Sequence, residues 1–185
     1  MADASIVSDS VSFFGRVKMH FTLRTIPGLD LPDFLRGARM AYPIVTQLMY
    51  SRDWVELEPL VSPAMLDAMR ETMETEPFDV RQVQGADEED AIIVTEASLS
   101  QVQVLHDDDA PWAPRLCHLD VAITSQENWR IFDFRENAAL PPFDGQVRTQ
   151  QSTWRFEGRV RPPLPPEEAH DEESQEASWI VHSVV

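Results

Sequence analysis

The chain has 185 residues, 32 acids against 15 bases, a formal charge of −17 and one cysteine, Cys117. That length suits one domain with a proper core. A lone cysteine excludes an internal disulfide, and no apolar run reaches the ~20 residues that cross a bilayer as a helix. Thirteen of the acids sit in three short runs, Asp87–Asp90, Asp107–Asp109 and Glu167–Glu176, and without them 19 acids face 15 bases, or −4. The acidity belongs mostly to solvated loops and weakly constrains what the folded body touches.

Residues 1–10 are small and polar, and fraying is expected there. They lack the arginine-rich character of a transit peptide and the apolar block of a signal peptide, so they read as a mature or trimmed end, or as the start of a cytosolic protein. Val11–Arg24 interleaves Phe13, Phe14, Val17, Met19, Phe21 and Leu23 with Arg16, Lys18, His20 and Arg24, without an acid. Alternation suits a strand over Val17–Leu23, with helical spacing as the alternative. The plain reading is an arm packing its apolar side on the domain. The functional one makes Arg16, Lys18, His20 and Arg24 contacts for anionic lipid headgroups or RNA phosphate.

Asp30–Tyr50 is the stretch the rest is built to cover. Phe34, Leu35, Ala38, Ala41, Tyr42, Val45, Leu48 and Met49 form a helical stripe, Asp30 can cap its start, and Pro43 predicts a kink near Arg39. Asp53 opens a short helix curtailed near Pro59. Ser62-Pro63 opens a third, ending near Glu76, with Met65, Leu66, Met69 and Met73 inward. From Phe78 the period becomes two: a short strand around Val80 and Val83, then a long one, Ile92–Leu105, whose phase changes near Ser98–Gln101 as at a bulge. Arg115–Ser125 turns Cys117, Leu119, Val121 and Ile123 to one face and His118, Asp120 and Thr124 to the other. Asn128–Arg135 and Val147–Arg161 follow, the latter with Trp154, Phe156 and Val160 inward. Ala177–Val185 closes the chain and is expected to be well covered. The pattern is α+β, helices first and then antiparallel strands: an N-terminal arm over 1–30, partly disordered, and one domain over 31–185 carrying a disordered acidic loop at 162–177.

No P-loop, dinucleotide fingerprint, nucleophile elbow or HExxH is present. His106-Asp107-Asp108-Asp109, followed by Ala-Pro-Trp-Ala-Pro, reads as a hairpin loop rather than a metal site. His118 and Asp120 share a strand face and could form an acid/base pair. Asp133, between Phe132 and Phe134, could carry a raised pKa, though pairing with a neighbouring arginine is preferred. Cys117 reads as an inert core thiol and His182 as a hydrogen-bonded core histidine rather than a ligand. Arg148, Arg155, Arg159 and Arg161 project from one hairpin region, either as a salt-bridged face or as a docking patch.

Phe34–Met69, with its Gly37-Ala38-Arg39 step, the Asp53 turn and Leu57-Glu58-Pro59-Leu60-Val61-Ser62, resembles the opening of a domain shared by two mitochondrial proteins. These are the import-motor scaffold of the inner-membrane translocase and a large-ribosomal-subunit protein (the Tim-forty-four-like family). Thr124–Phe134, Ser152–Val160 and Ser178–Val185 look more like the ribosomal, L-forty-five branch. The resemblance covers residues 31–185 with gaps in the loops, and it rests on the order and spacing of short motifs. It implies a cone-shaped fold of the nuclear-transport-factor-2-like kind, helices packed into a strongly bent antiparallel sheet. It also implies a non-enzymatic scaffold in the mitochondrial matrix against the inner membrane, without cofactor, metal or small-molecule substrate. Its partners would be the large ribosomal subunit, with contacts to ribosomal RNA or anionic lipid, or the import motor or another membrane complex. The departures are the acidic insertion in the last hairpin and the near absence of a basic N-terminal extension. The rival reading is a small isomerase or lyase of the same cone fold using His118, Asp120 or Asp133.

Overall fold

Capping decides where the helices begin. In the computed structural model, which describes residues 6–8, 10–75, 81–85, 88, 91–105, 115–160 and 178–185, each helix starts where a side-chain oxygen accepts a free backbone amide. Ser12 accepts from Gly15 to open α1 (Phe13–Leu23), and Asp30 accepts from Asp33 to open α2 (Leu31–Ser51). Asp53 accepts from Glu56 at α3 (Trp54–Leu57), and Ser62 accepts from Met65 at α4 (Pro63–Glu74). The helix of α2 runs on through Pro43. Proline brings no N–H there, so the Arg39 carbonyl loses its partner four residues on.

The strands are β1 (Arg81–Gln84), β2 (Ile92–Leu105), β3 (Arg115–Glu127), β4 (Arg130–Asp133), β5 (Ala138–Asp144), β6 (Arg148–Val160) and β7 (Trp179–Val184). All their pairings are antiparallel and fall into two sheets, ordered β1-β4-β5 and β2-β3-β6-β7. The architecture is α+β: among the described residues, four helices packed against antiparallel sheets, with α2 on β2 and β3, α1 on β2 and α4 on β7.

Strand β2 slips register twice, leaving Thr95 and Ser100 as the extra residues. Each turns its hydroxyl to the facing strand, Thr95 to the Thr124 carbonyl at 3.1 Å and Ser100 to the Asp120 carbonyl at 3.0 Å. The expected break near Ser98–Gln101 is present; the one at Thr95 is additional. There the Arg39 guanidinium reaches over from α2 to the Thr95 carbonyl at 2.9 Å, so helix and bulge are tied together.

The interior face of β3 is as its alternation predicted, with Cys117, Leu119, Val121 and Ile123 all buried. Two apolar clusters fill the space under the helices. The larger gathers Leu35, Ala38, Tyr42 and Val45 of α2 with Trp154, Phe156 and Val181. The smaller joins Met19 and Ile26 to Leu99, Leu119 and Val160, which ties the N-terminal segment to the body. Phe34 stands between Phe156 and Trp179, ring centroids 5.4 and 5.0 Å away. Trp179 fits because Gly158 lies opposite it: a Cβ there would come within 2.6 Å of the indole.

Three expectations are corrected. Val17–Leu23 is helical, because Met19 and Leu23 face the core while the aromatics face out, so apolar residues occupy two sides of one helix and imitate alternation. The strands make two sheets rather than one. The last strand is only partly covered: Val181 is buried, whereas Val184 and Val185 are exposed. Strand β5 was not expected at all. Its Pro141 and Pro142 lack donors, and the edge position of β5 tolerates that. The loop at 162–177, Arg161 and the run His106–Asp109 lie outside the described residues.

Candidate functional site

Strand alternation sends every second side chain of β3, β6 and β7 to the face away from the core, and there the polar groups pair off. Asp120 and Arg155 are direct cross-strand partners. The guanidinium donates through Nε to Oδ1 at 2.7 Å and through a terminal nitrogen to Oδ2 at 2.9 Å, a two-pronged bond. The Asp120 side chain is 5% exposed, and this bond pushes the Arg155 pKa further up.

One step along the same face, His118 is the cross-strand partner of Glu157. The register of β6 on β7 slips between Arg155 and Phe156, and the extra residue is His182. A bulge re-aims its side chain, and the His182 imidazole comes over Glu157. Glu157 Oε2 lies 3.1 Å from His118 Nε2 and 3.1 Å from His182 Nδ1. The two rings are 5.2 Å apart and 25° from parallel. The His182 backbone is held from the other side by Ser62, whose hydroxyl donates to the His182 carbonyl at 2.9 Å. The Ser62 amide donates to the Val181 carbonyl at 2.8 Å. His182 is therefore a half-buried residue of the outer face rather than a core histidine. A bulge shifts a residue to a new neighbour without changing the apolar pattern around it, so nothing in Trp179–Val184 announced this.

Under α2 lies a buried network that sequence reasoning missed. Tyr42 donates its hydroxyl to Glu127 Oε1 at 2.7 Å, Ser125 donates to the same oxygen at 2.7 Å, and Trp129 donates through Nε1 to Oε2 at 2.9 Å. Burial raises the Tyr42 phenol from 10.0 to about 12, with the Glu127 charge adding to the rise. Burial and the same carboxylate raise Tyr50 as well. The only available signal was a Ser-x-Glu-x-Trp pattern continuing the inward side of β3.

Asp133 sits apart, in the other sheet. Burial alone would raise its carboxyl, but the Arg135 amide at 2.7 Å, the Arg81 guanidinium at 3.3 Å and the Glu136 amide at 3.3 Å outweigh it, and the net shift is downward. The preferred pairing with an arginine is what the structure shows. His118 and Asp120 do share a face, yet each is engaged by a different partner, Glu157 and Arg155. The three residues of the enzyme reading are thus not gathered around one pocket. Cys117 lies in the smaller core cluster, and burial raises its thiol pKa.

Of the arginines proposed as a patch, Arg148 pairs with Asp144 at 3.1 Å and Arg155 with Asp120, while Arg159 is exposed. The N-terminal bases fare differently. Lys18, His20 and Arg24 are exposed, and Arg16 folds back on the carbonyls of Val11 and Ser8. At the helical ~100° per residue, Phe13, Val17, Phe21 and Phe14 fall on the side of α1 opposite buried Met19, with Lys18 flanking one border and His20 and Arg16 the other. Phe13, Phe14 and Phe21 are 74%, 83% and 63% exposed. A groove of ≈560 Å³ runs beside them, between Lys18, Phe21, Thr22 and Thr25 of the α1 region and Val102–Leu105 of β2.

Fold and side-chain placement together define an α+β protein that pairs Asp120 with Arg155 and Glu157 with two histidines on its outer sheet face, and whose N-terminal helix shows an apolar face to solvent. No protein-family model matches the chain, and no curated protein sequence matches it.

Proposed function

We propose that the protein is a non-enzymatic scaffold that seats on an anionic membrane surface through α1 and offers its body to a protein assembly. On the resemblance above, the setting is the matrix side of the mitochondrial inner membrane, and the assembly is the large ribosomal subunit, with the import motor or another membrane complex as the other branch. The cone form, a strongly bent surface over α2, belongs to the same proposal.

One observation carries it: the exposed Phe13-Phe14-Val17-Phe21 face of α1, bordered by bases and free of acids. Each phenylalanine, fully buried, is worth about 1.5–3 kcal/mol. Four contiguous apolar side chains on one helix face are a latent interface rather than the scatter usual on surfaces. Aromatics ringed by cations suit the headgroup–acyl boundary of an anionic bilayer, where the rings enter and the bases stay with phosphate. RNA phosphate would use the bases and leave the phenylalanines in water, so the aromatics favour lipid. Among the described residues no helix is long and apolar enough to cross a membrane, and a peripheral seat needs none.

Flotation of the full chain with vesicles tests the reading. It should rise with cardiolipin-containing vesicles and stay behind with phosphatidylcholine alone. High salt should weaken the association, and Phe14→Glu with Phe21→Glu should abolish it. Failure to float with anionic vesicles, or flotation indifferent to the double substitution, overturns the seat on α1.

A further inference from the structure

We propose that His118, Glu157 and His182 form a binding site for a single zinc-class divalent cation. The donor atoms are His118 Nε2, Glu157 Oε2 and His182 Nδ1, which lie within 4.8 Å of one another on three adjacent strands. A tetrahedral ion with bonds of ~2.0–2.2 Å holds its ligands about 3.3 Å apart. Both nitrogens are already 3.1 Å from the oxygen, and with all three atoms within 4.8 Å of one another, loading requires the imidazoles to turn toward a common centre.

Four features favour an ion over a plain hydrogen-bonded trio. His182 Nδ1 is shut off from solvent and, though 3.1 Å from Oε2, makes no aligned hydrogen bond with it. Both imidazoles converge on one oxygen with their rings nearly parallel. The backbone is braced: His118 and Glu157 sit in regular register, and the bulged His182 is gripped by Ser62. Finally, Arg155, two residues from Glu157 on the same face of β6, has its charge met by Asp120 rather than by Glu157, which faces the histidines.

The donor set selects the metal. Two imidazoles and one carboxylate suit Zn²⁺, Co²⁺, Ni²⁺ and Cu²⁺ over the oxygen-seeking Mg²⁺ and Ca²⁺. With three protein ligands, a fourth position is left to water or a donor from a partner. This site lies on the face opposite the core and is independent of the membrane seat.

The test is titration of the chelator-treated full chain with Co²⁺, read by its visible ligand-field bands, followed by displacement with Zn²⁺. One equivalent is expected to bind. Altering even an outer-shell partner of a metal typically costs about 10–100-fold in affinity, so His118→Ala, His182→Gln and Glu157→Gln should each weaken binding by about 100-fold or more. His106→Ala, in the acid–histidine run elsewhere in the chain, should leave it unchanged. His182 is 36% exposed at its side chain, so His182→Gln should retain the urea midpoint of the parent and report on the ligand alone. Zn²⁺ should raise the thermal midpoint of the parent and not of His182→Gln. Absence of ligand-field bands, bands that persist in all three variants, or bands lost with His106→Ala would each overturn the site.

Discussion

Arg155 and Asp120 face each other across β6 and β3, and the guanidinium closes on both carboxylate oxygens at 2.7 and 2.9 Å. The acid is almost wholly covered while the base keeps a quarter of its side chain in solvent. Removing the base therefore strands a desolvated charge, whereas removing both partners strands none.

The first prediction follows from that asymmetry. Arg155→Met should destabilise the fold by about 3 kcal/mol, toward the lower end for breaking a buried pair because Arg155 is partly solvated. The double change Asp120→Leu with Arg155→Met should recover most of the loss. Urea midpoints of the four chains, arranged as a double-mutant cycle, measure it; an Arg155→Met chain as stable as the parent contradicts the pairing.

Both tyrosines of the chain, Tyr42 and Tyr50, have pKa values raised by burial. A raised folded-state value means the neutral form is favoured in the native protein. The associated stability is fully present below the ordinary 10.0 and is lost as pH climbs from there, for Tyr42 through about 12. Phenolate absorbance should stay flat past pH 10.0 and then rise together with the loss of far-ultraviolet ellipticity. Ordinary phenolate titration in a still-folded protein would show that the Glu127 network is open to solvent.

Asp133 behaves with the opposite sign. Its folded pKa lies below 3.8, so its contribution holds above that value and drains away as pH falls through the depressed one. The gap in urea midpoint between the parent and Asp133→Asn should be widest near neutrality and shrink below pH 3.8. Asp144, lowered chiefly by the Gln146 amide and then by Arg148, should show the same trend in Asp144→Asn. A gap that does not vary with pH would place the effect in shape rather than charge.

Much of the framework is local chemistry and was legible. Asp30, Asp53 and Ser62 stand at helix starts because a short polar side chain can reach an amide two or three residues on, a relation contained within four residues. Cys117, Leu119, Val121 and Ile123 were assignable to the core because a strand has a period of two and one buried face. Two errors have local causes as well. The α1 segment carries apolar residues on both sides of a helix, which blurs the period, and β5 hides behind Pro141 and Pro142 because proline counts against a strand unless its edge position is known.

The polar clusters were not legible, since each joins residues far apart in the chain. His118 meets Glu157 39 positions on and Tyr42 meets Glu127 85 positions on. His182 reaches the first of these pairs only because a register slip moves it there.

From its residues alone this chain determines the helix starts, the inward face of β3 and β6, the α+β order and a base-rich aromatic segment without acids, because each depends on neighbours within a turn or on strand alternation. Tertiary structure alone decided which acids find bases, that Met19 turns inward while Phe13, Phe14 and Phe21 turn to solvent, and that two histidines converge on one glutamate. Those outcomes depend on strand register and on which element covers which face, and a one-residue shift of β3, β6 or β7 would have undone the strand pairings.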